Sequence, residues 1–146
     1  SEDAKRQICA WKYGGEYDLY NLPAYEEMQV RQIGFMNPQR EKNYYGFWDE
    51  SILVGFVNIL EEKEEVFIGI GVNPDLCNKH YGQRMLLITY EISKKLYPDK
   101  PLYLEVRTWN IRAVKCYQKA GFRIDGQAYE LTTGIGTGTF YRMIRE

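Results

Sequence analysis

The stretch that most limits how this chain can fold is Leu102 to Phe122, LYLEVRTWNIRAVKCYQKAGF. Its first six residues alternate: Leu102, Leu104 and Val106 fall on one side, Tyr103, Glu105 and Arg107 on the other. A period of two is the mark of a strand with one apolar face. After Arg107 the period changes. Asn110 opens a helix that runs to Ala120, with Ala113 and Tyr117 four apart on one face. Gly121 stops it, because a residue just past a helix end favours the left-handed conformation that glycine adopts freely. A strand that passes into a helix over so short a link calls for an α/β architecture.

The remaining segments fit that requirement. Glu2 to Trp11 reads as a short helix that Ser1 or Asp3 caps, and Gly14-Gly15 breaks it. A second helix follows Pro23, from Ala24 to Gln32. Asn43 to Trp48, Ile52 to Leu60 and Val66 to Val72 are rich enough in aromatic and β-branched residues for strands. A charged tip, Glu61 to Glu65, joins the last two. Tyr81 to Leu96 carries Met85, Ile88, Ile92 and Leu96 at helical spacing. Ala128 to Thr132 and Thr139 to Ile144 pair as a hairpin across TGIGTG. The expected fold is a mixed, mostly antiparallel central sheet with helices on both faces, in one domain spanning residues 1–146. The strand expected before the first helix is missing, since the chain opens on a helix cap.

A net charge of −1 argues against a protein built to hold nucleic acid, which needs a basic surface. No apolar run reaches membrane-spanning length and no signal-peptide pattern opens the chain. Cys9, Cys77 and Cys116 are too few and too far apart for a disulfide framework, which points to a reducing cytoplasm. Exposed strand edges at the hairpin permit a homodimer.

A second stretch, Val72 to Leu86, VNPDLCNKHYGQRML, leaves a strand, turns at Asn73-Pro74 and enters a helix. Helix N-termini offer unpaired N–H groups and a partial positive charge, which suit a phosphate where the backbone can come close. Gly82 tolerates any backbone conformation, Asn78 tolerates positive φ, and His80 does so less readily. Lys79 and Arg84 add positive charge. By itself this stretch reads more readily as a plain strand–helix connection that holds a glycine and some basic residues.

The strand–Asn–helix–Tyr–Gly–Phe series of Leu102 to Phe122 resembles the GCN5-related N-acetyltransferase (GNAT) family, and within it the ribosomal-protein alanine acetyltransferases. The resemblance follows element order over residues 52–144 and is motif-specific over 70–86 and 102–122. In that light Val72 to Leu86 looks like the acetyl-CoA loop, whose family pattern is Gln or Arg, two residues, Gly, one residue, then Gly or Ala. Cys77 stands where the family has Gln or Arg, and His80 where it has the first Gly. A side chain at position 80 either crowds the pyrophosphate or contacts it through the imidazole.

The resemblance implies the acyl-CoA N-acyltransferase fold and direct attack of a primary amine on the thioester of acetyl-CoA, the cosubstrate, with no metal. It implies that Ile70, Gly71 and Val72 offer backbone groups to the pantetheine arm where a splayed strand leaves them unpaired. Asn78, Lys79, His80, Tyr81, Gly82 and Gln83 would present amides to the pyrophosphate. Asn110 would contact the arm or a bound water. Tyr117 would protonate the leaving thiolate. Glu105 matches the catalytic glutamate of the alanine acetyltransferases. Glu65 is the reserve base, at the start of the preceding strand.

Plainer readings stand beside these. Tyr117 could be a core tyrosine, and Glu105 could pair with Arg107 or a helix lysine. Glu61, Glu62 and Glu64 read as a solvated tip. Cys77 and His80 have metal-ligand spacing, but only Cys9 and Cys116 remain as further soft ligands. For the acceptor, Tyr13, Tyr17, Tyr20 and Tyr25 lie beside Glu16, Asp18, Glu26 and Glu27, a composition suited to a cationic amine. The alternative is that these tyrosines cover the sheet and the acids face water. Cys77, His80 and the missing strand leave a second function open: a CoA-binding or interaction module on the same fold without turnover.

Overall fold

A computed structural model describes residues 1–77, 79–133 and 135–146. In chain order it contains helix α1 (Glu2–Ala10), a 3-10 turn (Gly15–Tyr20), α2 (Tyr25–Arg31), strands β1 (Tyr44–Asp49), β2 (Ile52–Glu61) and β3 (Val66–Val72), and α3 (Tyr81–Leu96). Then come β4 (Leu102–Arg107), α4 (Ile111–Lys119), β5 (Arg123–Ile124), β6 (Tyr129–Thr133) and β7 (Gly136–Arg145). The seven strands form one sheet in the order β1-β2-β3-β4-β7-β5, with β6 also paired to β7. β3 and β4 run parallel, while β4, β5 and β6 each pair antiparallel with β7. This is the mixed, mostly antiparallel sheet with flanking helices that the strand and helix periods predict.

The chain divides into two compact units, residues 1–58 with 70–81, and residues 59–69 with 82–146. In the first, the Ser1 hydroxyl caps α1 by accepting from the Ala4 amide at 3.2 Å. α1 and α2 bury Ala4, Ile8, Cys9, Tyr25 and Met28 with Phe35 and Leu53. The Phe56 ring lies at 6.1–6.3 Å from Trp11, Phe35 and Tyr44, an aromatic cluster over β2. Gly71 is opposite that ring, and a Cβ there would meet Phe56 Cζ at 2.7 Å. Lys5 is buried and held by Glu2 at 3.2 Å and by Glu41. Tyr25 donates its phenol to Glu2.

In the second unit, Leu102, Leu104 and Val106 are buried, as are Val66, Ile68 and Met143. The buried face of α3 differs from the spacing expected. Met85 is buried, but its buried companions are Leu86, Thr89 and Ser93, while Ile88 and Leu96 are about half exposed. The Thr89 hydroxyl donates to the Met85 carbonyl at 2.8 Å, so a polar residue is buried on the helix with its donor satisfied locally. The acidic tip also departs from a purely solvated run. Glu61 pairs with Lys100 at 2.7 Å and Glu62 accepts from the Tyr103 phenol at 2.8 Å.

Gly71→Ala is expected to destabilise the protein by about 1–3 kcal/mol, because the ring that must give way is packed on its other sides. Chemical denaturation measures it. A change under half a kcal/mol would mean that Phe56 moves freely.

Candidate functional site

In the second unit, β3 and β4 pair at Val66↔Leu102 and Phe67↔Tyr103, and the described ladder stops there. Both strands run on, to Val72 and Arg107. Pairing then passes wholly to the other side of β4, which meets β7 from Leu102↔Arg145 to Arg107↔Phe140. The strand therefore carries Tyr103, Glu105 and Arg107 along one face beside Arg142 and Phe140 of β7.

Glu105 is half-buried and accepts the phenol of Tyr129 on Oε2. Among the described residues it forms no ion pair with Arg107 or a lysine. Oε1 has no protein partner among the described residues. Burial, and then the Glu105 carboxylate, push the Tyr129 phenol well above its usual range. Glu65 is differently placed. Arg142 Nη1 reaches it at 3.1 Å and Nη2 closer still, while Arg142 Nε bonds Asp125 at 3.2 Å. Both Glu65 oxygens are thus committed to one guanidinium. The Arg142 guanidinium also lies 4.3 Å from the Tyr103 ring.

The Asn110 side chain caps α4, accepting from the Ala113 amide at 3.3 Å. Gly121 sits at φ +97° just past the helix, and the Phe122 amide closes back on the Tyr117 carbonyl at 3.0 Å. That is the Schellman closure predicted from Gly121-Phe122. Tyr117 is half-buried on α4, three residues after the buried Val114. Burial pushes the Cys116 thiol up. It is not set up as a nucleophile.

In the first unit, the backbone after Ile70 and Gly71 is anchored at several points. The Val72 carbonyl accepts the Tyr13 phenol at 2.7 Å, so one of the backbone groups expected to be open is engaged. Asn73 donates from its amide to Val54 at 2.8 Å and from Nδ2 to Leu53 at 3.1 Å, and it accepts from the Asp75 amide. The Tyr81 phenol donates to Asp49 at 2.8 Å. Between these anchors His80 is exposed at φ +65°. The left-handed conformation falls on the histidine rather than on Gly82, which lies in the first turn of α3 with Gln83. Lys79 is exposed, and Asn78 lies outside the described residues. A left-handed residue is thus present in this connection, and it is a histidine where the family pattern has glycine.

Glu16, Asp18, Glu26 and Glu27 are exposed, and Glu27 pairs with Arg31 at 3.2 Å. The acids of the early tyrosine-rich region therefore face water. Among the described residues no group of three His, Cys, Asp or Glu comes together, and no helix is long and apolar enough to cross a membrane. Sequence reasoning missed Tyr129, Arg142 and the buried Arg107. The first two become visible only through pairing across β7, and alternation placed Arg107 on a polar face without showing that it is buried.

The model of the acetyltransferase (GNAT) family matches residues 6–122, and the chain belongs to that family. No curated protein matches. Similar solved structures include a GNAT-family acetyltransferase from Bacillus anthracis, at 18% identity and TM-score 0.76, covering 97% of this chain and 86% of that one. A spermidine N-acetyltransferase chimera from Vibrio cholerae and hSSAT is 17% identical with TM-score 0.74, covering 99% and 90%. The Vibrio cholerae spermidine N-acetyltransferase in complex with CoA and spermine is 18% identical with TM-score 0.65, covering 85% and 76%. The chain is an acetyl-CoA-dependent N-acetyltransferase.

Two outcomes follow from these contacts. His80→Gly removes a left-handed side chain worth about 1 kcal/mol of strain and uncovers the loop amides, so calorimetry is expected to show tighter CoA binding. A weaker Kd would show instead that the imidazole holds phosphate. The Tyr129 phenol, raised in the folded state, keeps its proton above about pH 10, where the unfolded chain loses it. Its contribution to stability is full below about pH 10 and is lost as pH rises beyond that. Tyr129→Phe is expected to flatten the alkaline fall in Tm, and an unchanged slope would remove Tyr129 as its source.

Proposed function

We propose that the acceptor amine loses its proton to Glu105 as it attacks the acetyl carbon, and that Tyr117 protonates the departing thiolate. The nitrogen–carbon bond forms, the carbon–sulfur bond breaks, and each proton has a named destination. The supporting observation is the Glu105 carboxylate, fixed by the Tyr129 phenol on one oxygen and open on the other. Glu65 is the weaker base, since Arg142 takes both of its oxygens.

For the cosubstrate, we assign the first unit's Ile70 and Gly71 backbone to the pantetheine arm, and the amides near Lys79, His80 and Tyr81 to the pyrophosphate. The assignment at Asn78 rests on the resemblance alone. The assignments of Gly82 and Gln83 to phosphate, and of Asn110, which caps α4, to the arm, rest on the resemblance alone. Val72 contributes through its amide, because its carbonyl serves Tyr13. The acetyl group goes to a primary amine. The Leu102–Phe122 segment resembles alanine acetyltransferases, whereas the similar solved structures include spermidine acetyltransferases. These two acceptor classes differ in charge.

Thiol release from acetyl-CoA against a panel of amines tests the mechanism. Glu105→Gln and Tyr117→Phe are each expected to lower kcat by roughly 10²-fold while CoA affinity stays within about twofold. A Tyr117→Phe protein as fast as the parent on a good acceptor would remove Tyr117 from the reaction. A Glu105→Gln protein of parental rate would move the base elsewhere.

A further inference from the structure

Among the described residues two cationic side chains are buried, Lys5 and Arg107. Lys5 has the carboxylates of Glu2 and Glu41. Arg107 is 8% exposed and has no carboxylate within ion-pair distance among the described residues. Its guanidinium lies over the Phe140 ring at 4.8 Å and against the Cα of Gly138, where any side chain would collide with Nη1. Gly138 has no positive φ, so the missing side chain serves to admit the guanidinium. Cation–π contact offsets only part of the loss of water around a buried cation. Among the described residues the fully buried, unpartnered side-chain atoms are Asn58 Oδ1 and Ser93 Oγ, and no Arg107 nitrogen is among them. The guanidinium is therefore largely covered, but it is not among the fully sealed atoms that lack a partner.

The nearest acid on the same strand face is Glu105, and it bonds Tyr129 instead. Arg142, opposite Glu105 across β7, is spent on Glu65 and Asp125. One uncompensated cation and one half-engaged carboxylate thus stand a strand repeat apart, roughly 7 Å. That span suits a small molecule held at an amine and at an anionic group. A polyamine would set a like charge against the guanidinium. We propose that Arg107 seats the carboxylate of an acceptor that carries both an amine and a carboxylate, while Glu105 faces the amine. This rests on the reading of Glu105 as the base.

Acetyl transfer to matched pairs differing in one carboxylate tests it: phenylalanine against 2-phenylethylamine, and lysine against 1,5-diaminopentane. The carboxylated partner is expected to lead by at least tenfold in kcat/KM. Arg107→Met should bring that ratio near one, mainly through KM, and Arg107→Lys should restore part of it. Gly138→Ala, which displaces the guanidinium without removing it, should act like Arg107→Met. A parent enzyme that prefers the carboxylate-free amines overturns the proposal, and so does a ratio unmoved by Arg107→Met. Faster transfer to 2-aminoethylphosphonate than to β-alanine would replace the carboxylate with a phosphate-like group and overturn it as stated. Loss of CoA affinity in Arg107→Met with the acceptor ratio intact would assign the cation to the cosubstrate and overturn it as well.

Thermal stability separates this seat from the base reading. N-acetylphenylalanine is expected to raise the Tm of the parent, N-acetyl-2-phenylethylamine is not, and Arg107→Met should abolish the difference. That difference without turnover would keep the seat and sink the base. Turnover without it would keep the enzyme and sink the seat. If Arg107→Met does not fold, Arg107→Lys and Gly138→Ala carry the same comparison.

Discussion

Six consecutive antiparallel pairs join β4 to β7, from Leu102↔Arg145 to Arg107↔Phe140. Every chemical feature of the second unit depends on that register. A slip of one residue would turn Leu102, Leu104 and Val106 toward the polar face and send Glu105 and Arg107 into the core. The apolar face resists this, because Leu102 and Leu104 are almost fully buried. At the far end of α4 the chain turns back through Gly121, and Arg145 of β7 donates to the Ala120 carbonyl at 2.8 Å. Sheet register and helix termination are thus held by the same strand.

With the faces fixed, the polar side becomes a problem of charge pairing. Arg142 joins Glu65 and Asp125, Lys100 joins Glu61, and the Tyr103 phenol occupies Glu62. At the tip that the sequence presents as a run of like charges, Glu61 and Glu65 each have a cation close by, while Glu62 has a neutral phenol. Glu105, like Glu62, has a neutral phenol as its partner. A phenol orients a carboxylate without supplying a counter-charge, so Glu105 keeps its capacity to take up a cationic or proton-bearing group. A guanidinium in the same place would have ended that capacity, as Arg142 does at Glu65.

How much of this was legible follows the range of each interaction. The strand–helix unit from Leu102 to Phe122 could be read because its determinants are local: alternation, a capping Asn and a C-terminal glycine lie within 21 residues. The helix boundaries of α3 were legible, but its buried face was not. Thr89 and Ser93 pack inside while Ile88 and Leu96 are half exposed, and hydrophobic spacing cannot anticipate a hydroxyl satisfied by its own helix. The pairing of Glu105 with Tyr129 spans 24 residues and that of Glu65 with Arg142 spans 77. Both depend on which strand neighbours β4, which alternation within one strand does not encode. Nor does the polar face of a strand reveal that Arg107 is covered.

At the Val72–Tyr81 connection the departure from the motif falls on a residue with a left-handed backbone. A phosphate loop needs a backbone shape, and glycine is only the cheapest residue to supply it. Here the shape is set from outside the motif: Tyr13 holds Val72, Asn73 is tied to Leu53 and Val54, and Tyr81 is tied to Asp49. With both ends fixed, His80 takes the left-handed conformation at a cost of about 1 kcal/mol, which those anchors offset. The connection therefore carries an exposed imidazole on a left-handed residue, where the family pattern has glycine. The difference between this chain and the family pattern is therefore a side chain added at position 80, on a backbone anchored at both ends.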